Sequence, residues 1–176
     1  LPNAKPVHKV SIISRGRAAG YTLTLPEKET KMQSKSQFLD EIAVMLAGHT
    51  VEKDIFGEVT TGASNDLKTA TGLAKKLITR YGMSDVLAPR TYGEREDLIF
   101  LGREITEQRD YSEKVAEQID QEISLIINDA VKKVKEVLVK HRKELELIVE
   151  HLVKKETLEK EEFEALFKVP ESVPTA

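Results

Sequence analysis

Apolar positions recur along this chain with two different spacings. From Val7 to Pro26 they alternate. His8, Val10 and Ile12 interleave with Lys9, Ser11 and Ile13, and Arg15-Gly16-Arg17 then supplies turn chemistry. Tyr21, Leu23 and Leu25 alternate with Thr22 and Thr24 until Pro26 stops the run. A period of two is that of a pleated strand, so this stretch predicts a β-hairpin or small sheet edge.

From Ser34 the period becomes helical. Phe38, Ile42, Met45 and Leu46 share one face, with Ser34 or Ser36 as the N-cap and Gly48 closing the helix. A loop through Gly57 and Gly62 leads to a second helix from about Asn65 to Tyr81. Its stripe is Leu67, Ala70, Leu73, Ala74, Leu77 and Ile78, with Gly82 at the C-terminal cap. Residues 82–111 read as irregular and include Pro89 and the short apolar run Leu98-Ile99-Phe100-Leu101. Behind a Ser112 cap, Val115, Ile119, Ile123, Ile126, Ala130, Val134 and Val137 follow three- and four-residue steps, which Leu145, Ile148 and Leu152 continue. The polar stretch Lys140-His141-Arg142-Lys143 predicts a break, giving two helices packed back rather than one rod. Thr157 is the expected cap of a last short helix holding Phe163, Leu166 and Phe167. Lys160 stands where a full capping box needs Glu or Gln, so only the simple cap is available. The pattern predicts a mainly α domain over residues 1–168 with a small β element, then a flexible tail, 169–176, that holds two prolines.

The length of 176 residues suits one domain, since chains of this size bury roughly 70% of their unfolded surface. A formal charge of −3 from 27 basic and 30 acidic residues gives no clustered basic excess, so no nucleic-acid partner is expected. With no cysteine there are no disulfides, zinc thiolates or thiol nucleophiles. No apolar run approaches the ~18 residues of a membrane span. The chain opens on Leu1-Pro2, which leads us to expect an excised piece of a longer polypeptide.

The candidate chemistry is sparse. The four histidines, His8, His49, His141 and His151, include no pair three or four apart on one helix face. His141 and His151 read as solvated surface residues. His8 in a strand and His49 at a helix end read as cationic or capping groups. Nucleophile elbow, Walker loop and dinucleotide fingerprint are all missing. One segment stands out: Thr60-Thr61-Gly62-Ala63-Ser64-Asn65-Asp66-Leu67 runs from a loop into a helix, with Ala70-Thr71 shortly after. On residue chemistry alone, Ser64 or Asn65 caps that helix and Asp66 complements the positive end of its dipole, worth about 0.3–1 kcal/mol.

That segment is also similar to the one that supplies the third zinc ligand in the FtsH family of ATP-dependent proteases. Further matches occur in order. Pro2-Asn3-Ala4 and Pro6-Val7-His8-Lys9-Val10-Ser11-Ile12-Ile13 resemble the stretch just after the family's zinc helix. Arg15-Gly16-Arg17-Ala18, Gly20-Tyr21-Thr22-Leu23 and Leu25-Pro26 come next, then Ile55-Phe56-Gly57 and Tyr81-Gly82-Met83-Ser84. Phe100-Leu101-Gly102, Ile119-Asp120-Gln121-Glu122-Ile123 and Glu156-Thr157-Leu158 complete a resemblance running to about Phe167. There are departures. The family usually has proline where Ser14 stands, and two glutamates where this chain has Glu52 and Lys53.

The resemblance implies a helical, zincin-like FtsH peptidase domain. In such enzymes two histidines and a glutamate come from a His-Glu-x-x-His helix, and an aspartate from a later helix completes the site. Two imidazoles and a carboxylate leave an open position for water, whose pKa zinc lowers to about 7, and the glutamate is the general base. The aspartate carried onto this chain is Asp66. The zinc helix would lie immediately before Leu1, so no catalytic residue is expected within this piece, its Zn2+ site is incomplete, and it should be inactive by itself. Glu52 is a candidate orienter of a zinc-bound histidine, or else a solvated helix-end carboxylate. The strand holding Tyr21, Thr22 and Leu23 either pairs with extended substrate backbone beside the zinc site or is an ordinary core strand. The resemblance further implies a homo-hexamer, an adjoining AAA domain that uses ATP, and a membrane anchor outside this piece. Misfolded or tagged proteins would be degraded at the cytoplasmic face of a membrane, most commonly the bacterial inner membrane. A non-catalytic assembly module is the alternative.

Overall fold

A computed structural model describes residues 1–14, 16, 19–26, 32–93 and 110–167. The expected turn at Arg15 and Arg17, the Leu98–Leu101 run, the Phe100-Leu101-Gly102 match and the expected tail 169–176 lie outside those residues. The architecture is mainly α with one small antiparallel sheet, and the chain divides into two units.

The first unit comprises Leu1–Ala4 and Met32–Lys135. Helix α1, Lys35–Val51, starts as expected at Ser34, whose hydroxyl accepts from Gln37 N–H while the Gln37 side chain accepts from Ser34 N–H. Gly48 does not close it. The helix continues to Val51 and loosens into a single π-turn, Glu52–Phe56, which Gly57 ends at φ 72°. The reason is Thr50: buried in the last turn, it bonds the Leu46 carbonyl and keeps the helix in the core past the glycine.

Helix α2, Ser64–Thr79, buries Ala70, Ala74, Leu77 and Ile78 of the expected stripe, with Leu67 and Leu73 half-buried. Gly82 follows at φ 60°, with Met83 N–H returning to the Leu77 carbonyl at 2.9 Å. Helix α3, Glu113–Lys140, buries Ile119, Ala130 and Val134. Around Ile78, Tyr92 and Ile119 pack Leu87, Tyr111, Val115, Ile123 and Ile126.

Two buried acids lock the irregular stretches to this core. Asp40 is fully buried and accepts from Asn3 through both its N–H (2.9 Å) and its side-chain amide (3.1 Å), and from the Lys133 ammonium. Burial alone would raise its pKa, but the Lys133 and Asn3 hydrogen bonds outweigh it and hold the carboxyl below its ordinary value. Glu122 accepts from the Ser84 hydroxyl at 2.6 Å and Asp85 N–H at 2.9 Å, and Ser84 Oγ in turn receives Val86 and Leu87 N–H.

The second unit comprises Lys5–Lys31 and Glu136–Ala176, and so receives the last turn of α3. Strands β1, Val7–Ser11, and β2, Tyr21–Thr24, pair antiparallel as expected, with a bulge between Val7 and Lys9. Gly20 is required at their junction because a Cβ there would lie 2.5 Å from the Ser11 carbonyl oxygen. The sheet has a third strand that the hairpin reading lacks. β3, Thr157–Glu159, pairs with the other side of β1, giving the order β2-β1-β3.

Thr157 is therefore a strand residue rather than a helix cap. Its hydroxyl lies 2.9 Å from Ser11 Oγ, and its neighbour Leu158 is fully buried. The closing helix α5, Lys160–Ala165, begins after Glu159, whose N–H is accepted by the Glu162 carboxylate at 3.3 Å. The expected helix break falls at His141, between α3 and α4, Arg142–Lys155. No helix among the described residues is long and apolar enough to cross a membrane.

Candidate functional site

The segment Glu52–Leu67 is built in three steps. First, α1 carries Glu52 at the head of the π-turn, held in place by the buried Ile42, Ala43 and Leu46. Second, after Gly57 the chain passes through exposed residues to Thr60, which is extended (φ −108°, ψ 172°) and caps a 3-10 turn, Thr61–Ala63, by accepting Gly62 N–H at 3.1 Å. Third, Ser64 N–H bonds the Thr61 carbonyl and the chain runs directly into α2. Neither Ser64 nor Asn65 caps that helix. Its flanking residue is Ala63, without a side-chain cap, because the 3-10 turn takes up the cap one step earlier, at Thr60.

Asp66 lies in the first turn of α2. It is exposed, and its carboxylate makes no hydrogen bond or ion pair among the described residues. Glu52 is differently placed. Oε2 accepts Thr60 N–H at 2.8 Å and Oε1 accepts the Thr60 hydroxyl at 2.9 Å. These two bonds, the backbone one foremost, hold its carboxyl below the usual carboxylate range. Thr60 escapes sequence reasoning because its partner lies eight residues back, across an irregular loop. The paired Thr60-Thr61 before a glycine is the only local signal, and it reads as turn chemistry without naming an acceptor.

Among the described residues no three His, Asp or Glu side chains converge on a point where a metal could sit. The donor set around Asp66 fits one zinc ligand, an unengaged carboxylate oxygen, and not a whole site. Of the histidines, His151 Nδ1 lies 2.8 Å from the Leu147 carbonyl oxygen of its own helix, and His141 Nδ1 lies 3.4 Å from Glu144. His8 stands at the β1 bulge and His49 in the last turn of α1. Within the second unit, Tyr21, Thr22 and Leu23 form most of β2, an outer strand of the sheet, and the Leu23 side chain is exposed.

The profile of peptidase family M41 matches residues 1–166. The chain is similar to the ATP-dependent zinc metalloprotease FtsH 1 of Sphaerobacter thermophilus, 49% identical over 174 residues that cover 99% of this chain and 27% of that protein. The FtsH 1 protein of Thermomicrobium roseum gives the same identity and coverage. FtsH of Thermotoga maritima is 45% identical over 163 residues, covering 92% of this chain and 27% of that protein. The chain thus spans about a quarter of the length of these curated relatives. Matched by one family profile from residue 1 to residue 166, with the Asp66 segment inside the match, the chain belongs to peptidase family M41.

Proposed function

We propose that residues 1–168 form the greater part of the peptidase domain of an ATP-dependent zinc endopeptidase, with Asp66 as one of its three protein zinc ligands. The carrying observation is the state of Asp66: an exposed, unengaged carboxylate in the first turn of a helix, entered through a turn that Thr60 ties to Glu52 and Gly62. Such a group is ready to take a metal without first breaking another contact. The sequence contains no His-Glu-x-x-His, so the imidazoles and the general-base glutamate are supplied from outside these 176 residues. Zinc, when bound, acidifies water and polarises a scissile carbonyl. Asp66 contributes negative charge and a fixed direction of approach. Glu52, bonded to Thr60, orders the loop that leads to Asp66.

β2 offers an outer strand on which an extended substrate backbone can add, a mode that reads shape more than side chains. That suits a quality-control protease acting on unfolded or tagged proteins, driven by an AAA domain that hydrolyses ATP. We further propose a homo-hexamer, anchored at the cytoplasmic face of a membrane by segments outside this chain, in bacteria the inner membrane. These readings rest on the similarity to the FtsH proteins.

Zinc content and casein hydrolysis test the central assignment. The full-length protein should hold about one zinc per chain and cleave casein with ATP, and Asp66→Asn should hold zinc much more weakly and lose the cleavage. The 176-residue chain alone should bind zinc weakly and be inactive. Zinc-dependent caseinolysis by the isolated chain, or full zinc retention by Asp66→Asn, would contradict the assignment.

A further inference from the structure

A metal ligand must be held within a few tenths of an ångström of its working position, and the first turn of a helix is its least constrained part. Asp66 sits in such a turn, ahead of Ala70, the first fully buried residue of α2. The loop before it, residues 57–60, is exposed throughout. The entrance is fixed by the pair of bonds from Thr60 to Glu52. They close the chain over eight residues and connect the ligand-bearing turn to α1, whose Ile42, Ala43 and Leu46 are almost wholly buried.

We infer that Thr60 and Glu52 are positioning residues for the zinc ligand: their two-bond clasp sets where the Asp66 carboxylate stands. Thr60 does three jobs at once. Its N–H and hydroxyl both reach the Glu52 carboxylate, and its Oγ1 also receives Gly62 N–H. Two bonds carry the connection onward: Thr60 Oγ1 receives Gly62 N–H, and Ser64 N–H bonds the Thr61 carbonyl at the start of α2, two residues before Asp66. Gly62 completes the arrangement. A Cβ there would come within 3.2 Å of Thr60 Oγ1 and 3.7 Å of Glu52 Oε1, so the turn closes tightly over the clasp. The carboxylate at position 52 is charged and doubly engaged, and charge-assisted bonds of this kind are the stronger class.

The inference rests on Asp66 being a zinc ligand, and zinc release from the full-length protein separates the two claims. Release into a chromophoric chelator is followed alongside the thermal midpoint. Asp66→Asn should release zinc about 100-fold faster and Thr60→Val about tenfold faster, the range for groups that support a metal ligand. Thr60→Val also loses the cap on Gly62 N–H, so its thermal midpoint should fall slightly, by too little to account for the faster release. Thr60→Ser, which keeps the hydroxyl, should return to within about twofold of the parent. If Thr60→Val does not fold, Glu52→Gln carries the test, because its amide oxygen can accept only part of what the carboxylate accepts. Fast release from Asp66→Asn with parental release from the Thr60 and Glu52 variants would overturn the clasp and leave the ligand standing. Release that quickens only in step with a falling midpoint, without recovery in Thr60→Ser, would also overturn it. Parental release from Asp66→Asn would remove the ligand assignment and the clasp with it.

Discussion

Asp40 and Asp66 are both aspartates on helices, yet their surroundings give them opposite tasks. Asp40 is fully buried and engaged by Asn3 and Lys133; Asp66 is exposed and engaged by nothing described. Removing the first should damage stability, with about 2–3 kcal/mol lost in Asp40→Ala, since hydrogen bonds to a buried charge are worth more than neutral ones. Urea midpoints measure this, with the denaturant slope unchanged. Asp40 also gives a pH signature. Its folded carboxyl ionises below the ordinary value of 3.8, so the stabilisation is complete above that value. It is lost as pH falls further, through the folded value. The parent should therefore lose midpoint more steeply than Asp40→Asn on acidification from pH 5 to about pH 3. Sequence alone could not distinguish these two acids. Ser34 was legible as a cap because the N–H it accepts lies three residues on, at Gln37; Asp40 was not, because Asn3 and Lys133 are remote in the chain.

Helices were legible from their stripes, and their ends where the punctuation is local. Ser34, Ser112 and Gly82 serve as expected. Gly48 misleads because the buried Thr50 outweighs a glycine's modest helix cost of about 1 kcal/mol. Thr157 misleads because cap chemistry and β-propensity point to the same residue type. The vacant side of β1, more than a hundred residues away in sequence, decides for the strand. The same sheet predicts that Gly20→Ala is destabilising by about 1–3 kcal/mol, an overpacking cost, since its Cβ meets the Ser11 carbonyl. Amide exchange in β1 and β2 should quicken most. In the other unit, Ser84 joins its own turn to Glu122 of α3, so the Tyr81–Ser84 and Ile119–Ile123 segments meet in the fold. Ser84→Ala should lower the thermal midpoint by removing three bonds at once, a loss of about 1–2 kcal/mol.

At the scale of the whole molecule, the chain carries a peptidase family's framework and, in the proposal made above, one zinc-ligating carboxylate, Asp66. The fold class was readable because mainly helical periodicity and one alternating stretch survive translation into structure. Of the proposed site, the sequence pointed to Asp66 through family resemblance alone. Periodicity does not report on a loop, and the Glu52–Thr60 clasp that shapes this one is made across irregular backbone. The most direct test of the account is a zinc-edge anomalous difference map from crystals of the full-length protein. It should show a single zinc with an Asp66 carboxylate oxygen about 2.0–2.2 Å away. A zinc whose ligands exclude Asp66, with that side chain turned to solvent, would contradict it.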